Sequence, residues 1–131
     1  MEKGKVLIVE DDAVILLSLR DVLTLVGLDV VGVAANVTDA LCIAENTRPD
    51  LAIFDIRLQG RRDGIEGARL LRERFDVPVV FLTANTEQDI RARASEIAPA
   101  ACLTKPAHAQ QIIAAVQSAL GASRIENKSS A

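Results

Sequence analysis

Five short apolar segments alternate along the chain with five longer segments of helical periodicity. The apolar segments are rich in β-branched residues and are bounded by polar or turn residues, which is typical of strands buried on both faces of a sheet. They cover residues 5–10, 29–34, 51–56, 78–83 and 101–104. The segments with helical spacing cover 13–27, 38–46, 64–75, 87–97 and 107–120. The pattern therefore predicts a strand-helix unit repeated five times.

Five such units predict an α/β fold, in which a doubly wound parallel sheet of five strands carries five helices on its two faces. Asp12 and Asn36 are expected to cap the helices that follow them, with Asp39 completing a capping pair. Gly27 and Gly121 stand where a helix would end. We expect one domain over residues 1–121 and a flexible tail over 122–131.

Composition narrows the class of protein. Half of the 131 residues are hydrophobic but only three are aromatic, so the core is expected to be aliphatic. The net charge of -3, without a basic stripe, argues against binding of nucleic acid by this chain.

Cys42 and Cys102 lie in apolar sequence without a metal-binding pattern, so we expect buried free thiols in a reducing compartment. No signal peptide or membrane-spanning apolar run is evident, and the expected location is the cytoplasm.

Acidic residues follow the first and third predicted strands. Glu10 and Asp11 end the first strand and Asp55 ends the third. The carboxyl ends of parallel strands meet at one edge of a sheet, where ligands of such folds bind. Carboxylates gathered there repel one another or bind a cation, and an all-oxygen ligand set without histidine or thiolate favours Mg²⁺.

A hydroxyl and an ammonium follow the fourth and fifth strands. Thr83 can donate a hydrogen bond to a phosphoryl oxygen, and Lys105 can pair with one as a point charge. Beside them Asp55 is a candidate carboxylate nucleophile of the kind that forms an aspartyl phosphate. Each residue alone could have an ordinary structural role, and only their combination indicates a phosphoryl-accepting site.

Four segments in this order, "VLIVEDD", "LAIFDIRL", "VVFLTA" and "CLTKP", resemble the receiver domain of two-component response regulators over residues 5 to 120. The resemblance implies a flavodoxin-like sheet of order 2-1-3-4-5. It implies phosphorylation of Asp55 by a histidine kinase or a histidine phosphotransfer protein, with the phosphoryl group bound by Thr83 and Lys105. The implied Mg²⁺ ligands are Glu10, Asp11, Asp55 and the backbone carbonyl of Arg57.

The resemblance also implies how the protein acts. A phosphorylated receiver changes the surface of its fourth and fifth strand-helix units, which partners read, and its own chemistry is limited to self-phosphorylation and slow self-dephosphorylation. A cis peptide bond is expected before Pro106. Because the chain ends soon after the fifth helix, we expect a single-domain receiver without an attached output domain.

Several positions depart from the family pattern. Cys102 replaces the usual Tyr or Phe three residues before the lysine, and Ala98-Pro99 replaces a Gly-Ala step. The loop "RLQGRRDG" carries Gly60 instead of the usual proline and is expected to be mobile.

The first helix has more apolar residues than one core-facing stripe requires. Its predicted core stripe is Ile15, Leu19, Val22, Leu23 and Val26, whereas Leu16, Leu17 and Leu25 fall nearer the outer face. Three outer leucines suggest a contact surface, either for a partner or for a homodimer.

Two other classes of protein share parts of this pattern. An Asp-nucleophile, Mg²⁺-dependent phosphohydrolase of the haloacid dehalogenase type also uses acids at strand ends. It places its nucleophile on the first strand and a second Asp two residues later, whereas the acids here are adjacent. A flavodoxin-like cofactor binder needs a phosphate-cradling loop after the first strand, and "EDDA" would repel phosphate.

Overall fold

Strands and helices alternate five times in the computed structural model of the chain, which describes residues 4–56, 58, 64–84 and 88–129. The strands are β1 (Lys5–Val9), β2 (Asp29–Ala34), β3 (Leu51–Phe54), β4 (Val79–Thr83) and β5 (Ala101–Thr104). The helices are α1 (Ala13–Leu25), α2 (Val37–Thr47), α3 (Gly64–Phe75), α4 (Gln88–Glu96) and α5 (Ala109–Ser129). No helix in these ranges is long and apolar enough to cross a membrane.

The strands form one parallel sheet in the order β2-β1-β3-β4-β5, which confirms the predicted α/β fold and the strand order that the resemblance implies. Val9 of β1 pairs with Phe54 of β3. Hydrogen bonding continues one residue further, because the Asp55 amide donates to the Val9 carbonyl at 3.0 Å and the Glu10 amide donates to the Ala34 carbonyl at 2.9 Å. The carboxyl ends of β1 and β3 are therefore level, and Glu10 and Asp55 start from adjacent backbone positions.

Two apolar clusters cover the two faces of the sheet. The α2–α3 core lies between the sheet and helices α2 and α3, and the α1–α5 core lies on the opposite face. Side chains of β1 alternate between them: Leu7 and Val9 enter the α2–α3 core, and Val6 and Ile8 enter the α1–α5 core. This period of two is what a strand covered on both faces requires, and the clusters are mainly aliphatic, as predicted.

Both predicted N-terminal caps are confirmed. Asp12 Oδ1 accepts hydrogen bonds from the amides of Val14 at 2.9 Å and Ile15 at 3.2 Å, at the start of α1. Asn36 Oδ1 accepts from the Asp39 amide at 2.8 Å, and the Asn36 side-chain amide donates to Asp39 Oδ2 at 3.1 Å. These bonds satisfy amides that have no partner inside their own helix.

The predicted helix ends are confirmed at one glycine and wrong at the other. Gly27, with φ of 87°, follows the end of α1 in the left-handed region that glycine adopts without strain. Gly121 lies inside α5, whose backbone continues to Ser129. A glycine in a helix interior costs only about 1 kcal/mol, which the helix-forming residues around it offset. The division into a domain of residues 1–121 and a tail of residues 122–131 stays a prediction.

The prediction of buried thiols is wrong, since Cys42 and Cys102 are both exposed. Cys42 lies on α2 between Ala40 and Ala44, which face the core, so its own side chain points away from the sheet. Cys102 lies on β5 at the edge of the sheet, and along this strand burial alternates, with Ala101 partly buried and Cys102 exposed. Apolar sequence neighbours did not reveal which face either residue occupies.

The burial of α1 agrees with the predicted stripe in part. Leu19 and Leu23 are buried, and Leu17 and Leu25 are exposed, as expected. Leu16 is different, because it packs against the α1–α5 core instead of lying on the outer face. Ile15 and Val22 are partly buried, whereas Val26, expected in the core, lies beyond the helix end and is exposed.

The expectation of a mobile loop after Asp55 falls mainly on residues outside the described ranges.

Candidate functional site

Two buried carboxylates lie at the carboxyl edge of the sheet. Glu10 follows β1 and Asp55 follows β3, and their exposed fractions are 2% and 9%. The level ends of β1 and β3 hold the two backbones side by side, so the burial of both acids follows from the sheet register. A buried ionised carboxylate is unfavourable without a charge or hydrogen-bond partner.

Asp11 completes a group of three acids. One carboxylate oxygen from each of Glu10, Asp11 and Asp55 lies within 4.8 Å of the other two. The Asp11 amide donates to Glu10 Oε2 at 3.0 Å, which orients the glutamate towards the cluster. The three acids that the sequence predicts to converge are thus brought together.

Lys105 supplies a positive charge to this cluster. Its Nζ atom lies 2.5 Å from Glu10 Oε1 and 3.1 Å from Asp55 Oδ2. Lys105 follows β5, which is separated from β3 by β4, so the long side chain reaches past the end of β4 to the carboxylates. The expected cis peptide bond joins Lys105 to Pro106.

Burial and charge change the proton affinity of two of these groups. Burial, together with hydrogen bonding and repulsion from Asp55, raises the pKa of Glu10 from 4.5 to about 7, although Lys105 opposes the change. Burial lowers the pKa of Lys105, but hydrogen bonds to Glu10 and Asp55 outweigh it, and the net pKa is raised. The Lys105 ammonium therefore stays charged at neutral pH, whereas the Glu10 carboxyl group gains or loses its proton near neutral pH.

Thr83 is the last residue of β4, the strand between β3 and β5, and it is 3% exposed. Its backbone carbonyl accepts a hydrogen bond from the Lys105 amide at 2.8 Å. The Thr83 hydroxyl and the Lys105 ammonium, both predicted to bind a phosphoryl group, thus lie at the carboxyl ends of the paired strands β4 and β5. Arg57, whose carbonyl is the remaining predicted metal ligand, lies outside the described residues.

Gly64 is a site residue that the sequence analysis did not identify. It is the first residue of α3, and its amide donates to the Ile56 carbonyl at 2.7 Å. A Cβ atom at this position would lie 1.9 Å from the backbone carbonyl oxygen of Asp55. Only glycine lets α3 begin directly against the backbone of Asp55. The sequence signal was the Asp-Gly step at the start of the helical segment, and such a step is equally typical of a simple turn.

An apolar groove opens beside the charged cluster, between α1 and the ends of β4 and β5. Its volume is about 510 Å³. Residues that line it include Val14, Ile15, Ser18, Leu82, Lys105 and Pro106. The charged cluster therefore borders an apolar groove, and α1 forms one wall of this groove.

The donor set fits a hard divalent cation. Three carboxylates offer oxygen atoms at mutual distances that allow one ion to contact all of them, and oxygen ligands without nitrogen or sulfur favour Mg²⁺ over transition metals. The Lys105 ammonium neutralises only part of the negative charge. The cluster can therefore hold a metal ion, with the lysine beside it.

Comparison with known proteins agrees with this geometry. The family model of the response regulator receiver domain matches residues 6–117. Transcriptional regulatory protein PdtaR of Mycobacterium tuberculosis is 36% identical over 116 residues, which are 88% of this chain and 56% of PdtaR. Phyllosphere-induced regulator PhyR of Methylorubrum extorquens is 34% identical over 117 residues, which are 88% of this chain and 43% of PhyR. The chain spans about half the length of these curated relatives.

A solved structure shows the same fold. The signal receiver domain of a modulated diguanylate cyclase from Desulfovibrio desulfuricans superposes with a TM-score of 0.90 at 34% sequence identity, covering 95% of this chain and 99% of that one. The chain belongs to the response regulator receiver domain family. Members of this family are modules of two-component signalling that depends on phosphorylation, and receiver domains are generally not enzymes.

Proposed function

We propose that this receiver accepts a phosphoryl group on Asp55 from a histidine kinase or a histidine phosphotransfer protein, with Mg²⁺ bound at the same site. The observation that carries the proposal is the position of the Asp55 carboxylate, within 4.8 Å of two further carboxylates and 3.1 Å from the Lys105 ammonium. Acids that can bind a metal, a nucleophilic carboxylate and a cation for the phosphoryl oxygens are the parts that acyl phosphate formation needs.

The transfer itself is an in-line displacement at phosphorus. An Asp55 carboxylate oxygen forms the new P–O bond, the P–N bond of the phosphohistidine breaks, and the histidine nitrogen keeps the electron pair. Lys105 already contacts the accepting carboxylate and pairs with a phosphoryl oxygen after transfer, while the Thr83 hydroxyl donates to another.

Asp11, Asp55 and Glu10 would hold Mg²⁺, with the Arg57 carbonyl as a further predicted ligand, and the bound ion would neutralise charge on the phosphoryl oxygens. Glu10 also accepts a hydrogen bond from Lys105, and a bound Mg²⁺ would favour the ionised form of this glutamate. The protein's own residues thus orient the nucleophile and bind the transferred group.

Downstream, the phosphorylated form presents a changed surface to a protein partner. Thr83 ends β4 and Lys105 follows β5, so contacts between these residues and the phosphoryl group would shift the two strand-helix units at that end of the sheet. We place this activity in the cytoplasm, with slow self-dephosphorylation as the only further chemistry. That this chain itself does not contact nucleic acid stays a prediction from its charge.

Intact mass measurement after incubation with acetyl phosphate tests the proposal. We expect a gain of one phosphoryl group that requires Mg²⁺ and is absent in Asp55→Asn. Asp76→Asn is the matched control, because Asp76 is an exposed aspartate that precedes β4 at the opposite edge of the sheet.

Two results would contradict the proposal. A folded protein that gains no phosphoryl group, either from acetyl phosphate or from a phosphorylated histidine phosphotransfer protein, would show that the site does not accept phosphate. Repeated turnover of a phosphate ester would instead support the phosphohydrolase alternative.

A further inference from the structure

The turn between α4 and β5 has a backbone conformation that its sequence does not favour. Ala98 follows the end of α4 with φ of 51°, in the left-handed region, where the Cβ atom of alanine crowds the carbonyl group that follows it. Pro99 comes next, and a residue that precedes proline favours extended backbone. A less strained conformation of this turn, with Ala98 extended, is therefore available.

A side chain of α3 holds the turn in its strained conformation. The Arg72 Nη1 atom donates a hydrogen bond to the Ala98 carbonyl at 2.9 Å, which joins the last turn of α3 to the chain that follows α4. The charge of the donor makes this bond stronger than a bond between neutral groups. Rotation of Ala98 to an extended φ would turn its carbonyl away from Arg72. The strained backbone and the hydrogen bond therefore form and break together.

The turn lies at the far end of the unit that α4 and β5 form. Thr83 precedes this unit and Lys105 follows it at the carboxyl edge of the sheet, whereas the turn lies at the amino edge, just before β5. Of the α4 side chains that the structure describes, Ala94 is buried, and Ile97, directly after the helix, packs against the α2–α3 core. The bond from Arg72 restrains the end of α4 in addition to this small apolar contact.

We propose that Arg72 is a latch on the α4–β5 turn: it holds Ala98 in the strained conformation, and its release lets the turn relax and α4 move. The hydrogen bond favours the latched state, and the strain at Ala98 opposes it. Because these two contributions are of similar size and opposite sign, the latched and released states differ little in free energy. A small perturbation therefore shifts the equilibrium between them.

The latch has a regulatory consequence that rests on the proposed function. Contacts of the phosphoryl group with Thr83 and Lys105 would shift the α4–β5 unit at the carboxyl edge of the sheet, while Arg72 holds the other end of the unit in place. The latched state then opposes the change that accompanies phosphorylation of Asp55, and the released state favours it.

Amide hydrogen exchange, measured by NMR on unphosphorylated protein without Mg²⁺, tests the latch. The reporters are the Ala98 amide, which donates to the Ser95 carbonyl at 3.0 Å, and the Ala100 amide, which donates to the Val79 carbonyl at 2.9 Å. Arg72→Met keeps the apolar stem and the helix propensity of arginine but removes the donor. We expect it to lower the protection factors of both amides about fivefold.

Two further variants make the test specific. Ala98→Gly removes the strain, so it is expected to raise the protection factors of the same two amides about fivefold, and the double variant with Arg72→Met is expected to return them close to the native values. Arg74→Met is the matched control, because Arg74 is an exposed arginine in the same helical turn that points to a different side of α3. It is expected to leave the protection factors unchanged. Circular dichroism confirms that each variant is folded.

The rate of mass gain from acetyl phosphate with Mg²⁺ tests the regulatory consequence. We expect Arg72→Met to raise this rate by at most about fivefold and Ala98→Gly to lower it, since the two variants move the same equilibrium in opposite directions. If the native chain gains no phosphoryl group, the proposed function fails, while the exchange measurement still decides whether the latch exists.

Native protection factors in Arg72→Met would overturn the latch. A change of the same sign in Arg72→Met and Ala98→Gly would overturn it as well, because the hydrogen bond and the strain would then not act on one equilibrium. The expected exchange results together with equal phosphorylation rates in all variants would overturn the role of the latch in signalling.

Discussion

Replacement of Gly64 by alanine is expected to damage both the fold and the proposed phosphoryl-acceptor site. The added Cβ atom would lie 1.9 Å from the Asp55 carbonyl oxygen and 2.9 Å from the Ile56 Cα atom. Because Cβ atoms stay at least 3.0 Å from other heavy atoms, the start of α3 or the Asp55 backbone must move by about 1 Å. Neither obstacle is a flexible side chain, so rotation about a side-chain bond cannot relieve the contact.

The magnitude follows from this displacement. Overpacking of a filled site costs about 1–3 kcal/mol, and a collision with backbone belongs at the upper end of that range. A misplacement of about 1 Å at a reacting group lowers the rate about 100-fold. We therefore expect Gly64→Ala to lower the free energy of unfolding by about 3 kcal/mol and the rate of acetyl phosphate-dependent phosphorylation by about 100-fold.

Two other glycines in helices provide matched controls. At Gly67, also in α3, a Cβ atom would meet only side chains, Val37 at 2.7 Å and Phe54 at 3.1 Å. Gly67→Ala is expected to destabilise by about 1 kcal/mol, as overpacking exceeds the gain in helix propensity, and to keep a near-native phosphorylation rate. At Gly121 nothing lies within 4 Å, and Gly121→Ala is expected to stabilise by up to about 1 kcal/mol.

Urea unfolding and the rate of mass gain, measured on all three variants, form the assay. With a slope of about 1–3 kcal/mol per molar urea, the expected loss in Gly64→Ala shifts the midpoint by about 1 M or more. A Gly64→Ala protein that unfolds at the native midpoint and gains phosphate at the native rate would refute the inferred contact between α3 and the Asp55 backbone. If Gly67→Ala loses as much of the phosphorylation rate as Gly64→Ala does, destabilisation of α3 alone explains the loss in Gly64→Ala.

Two further substitutions test local features of the structure. The pKa of Glu10 rises from 4.5 to about 7 on folding. Between these two pH values the folded protein keeps a proton on Glu10 that the unfolded chain has lost, so the stability of the fold falls as the pH increases. In EDTA, the free energy of unfolding of the native chain should therefore fall by up to about 3 kcal/mol relative to that of Glu10→Gln between about pH 4.5 and 8. Parallel pH profiles of the free energy of unfolding for the two proteins would contradict this expectation. Ala98, with φ of 51°, is strained, so Ala98→Gly should stabilise by about 1 kcal/mol, and a lower melting temperature would contradict it.

Much of the fold could be predicted because its two periodicities differ clearly. The strands are short, apolar and β-branched, and the helices repeat apolar residues every three or four positions, so their order alone implies a parallel sheet. The cluster of Glu10, Asp11, Asp55 and Lys105 follows from that topology, since every one of these residues lies one or two positions after the carboxyl end of a strand. Their specific pairing, with Lys105 between Glu10 and Asp55, depends on side-chain reach and burial, which sequence spacing does not report.

The remaining errors have a common physical origin in tertiary context. The position of Cys102 on an edge strand leaves its side chain exposed, although its sequence neighbours are apolar. The helix-forming residues beyond Gly121 continue α5 past a residue that usually ends helices. The close approach at Gly64 joins two segments separated by a loop, and no local pattern distinguishes it from a turn glycine.

The separation of the α2–α3 core from the α1–α5 core has a consequence for how such a protein can diverge. Each strand supplies alternate side chains to the two faces, so a substitution on one face leaves the packing of the other intact. Residues on α1 are therefore free to acquire a new recognition specificity without change to the helices that pack on the other side. The two helix layers can therefore change independently of one another while the sheet between them stays the same.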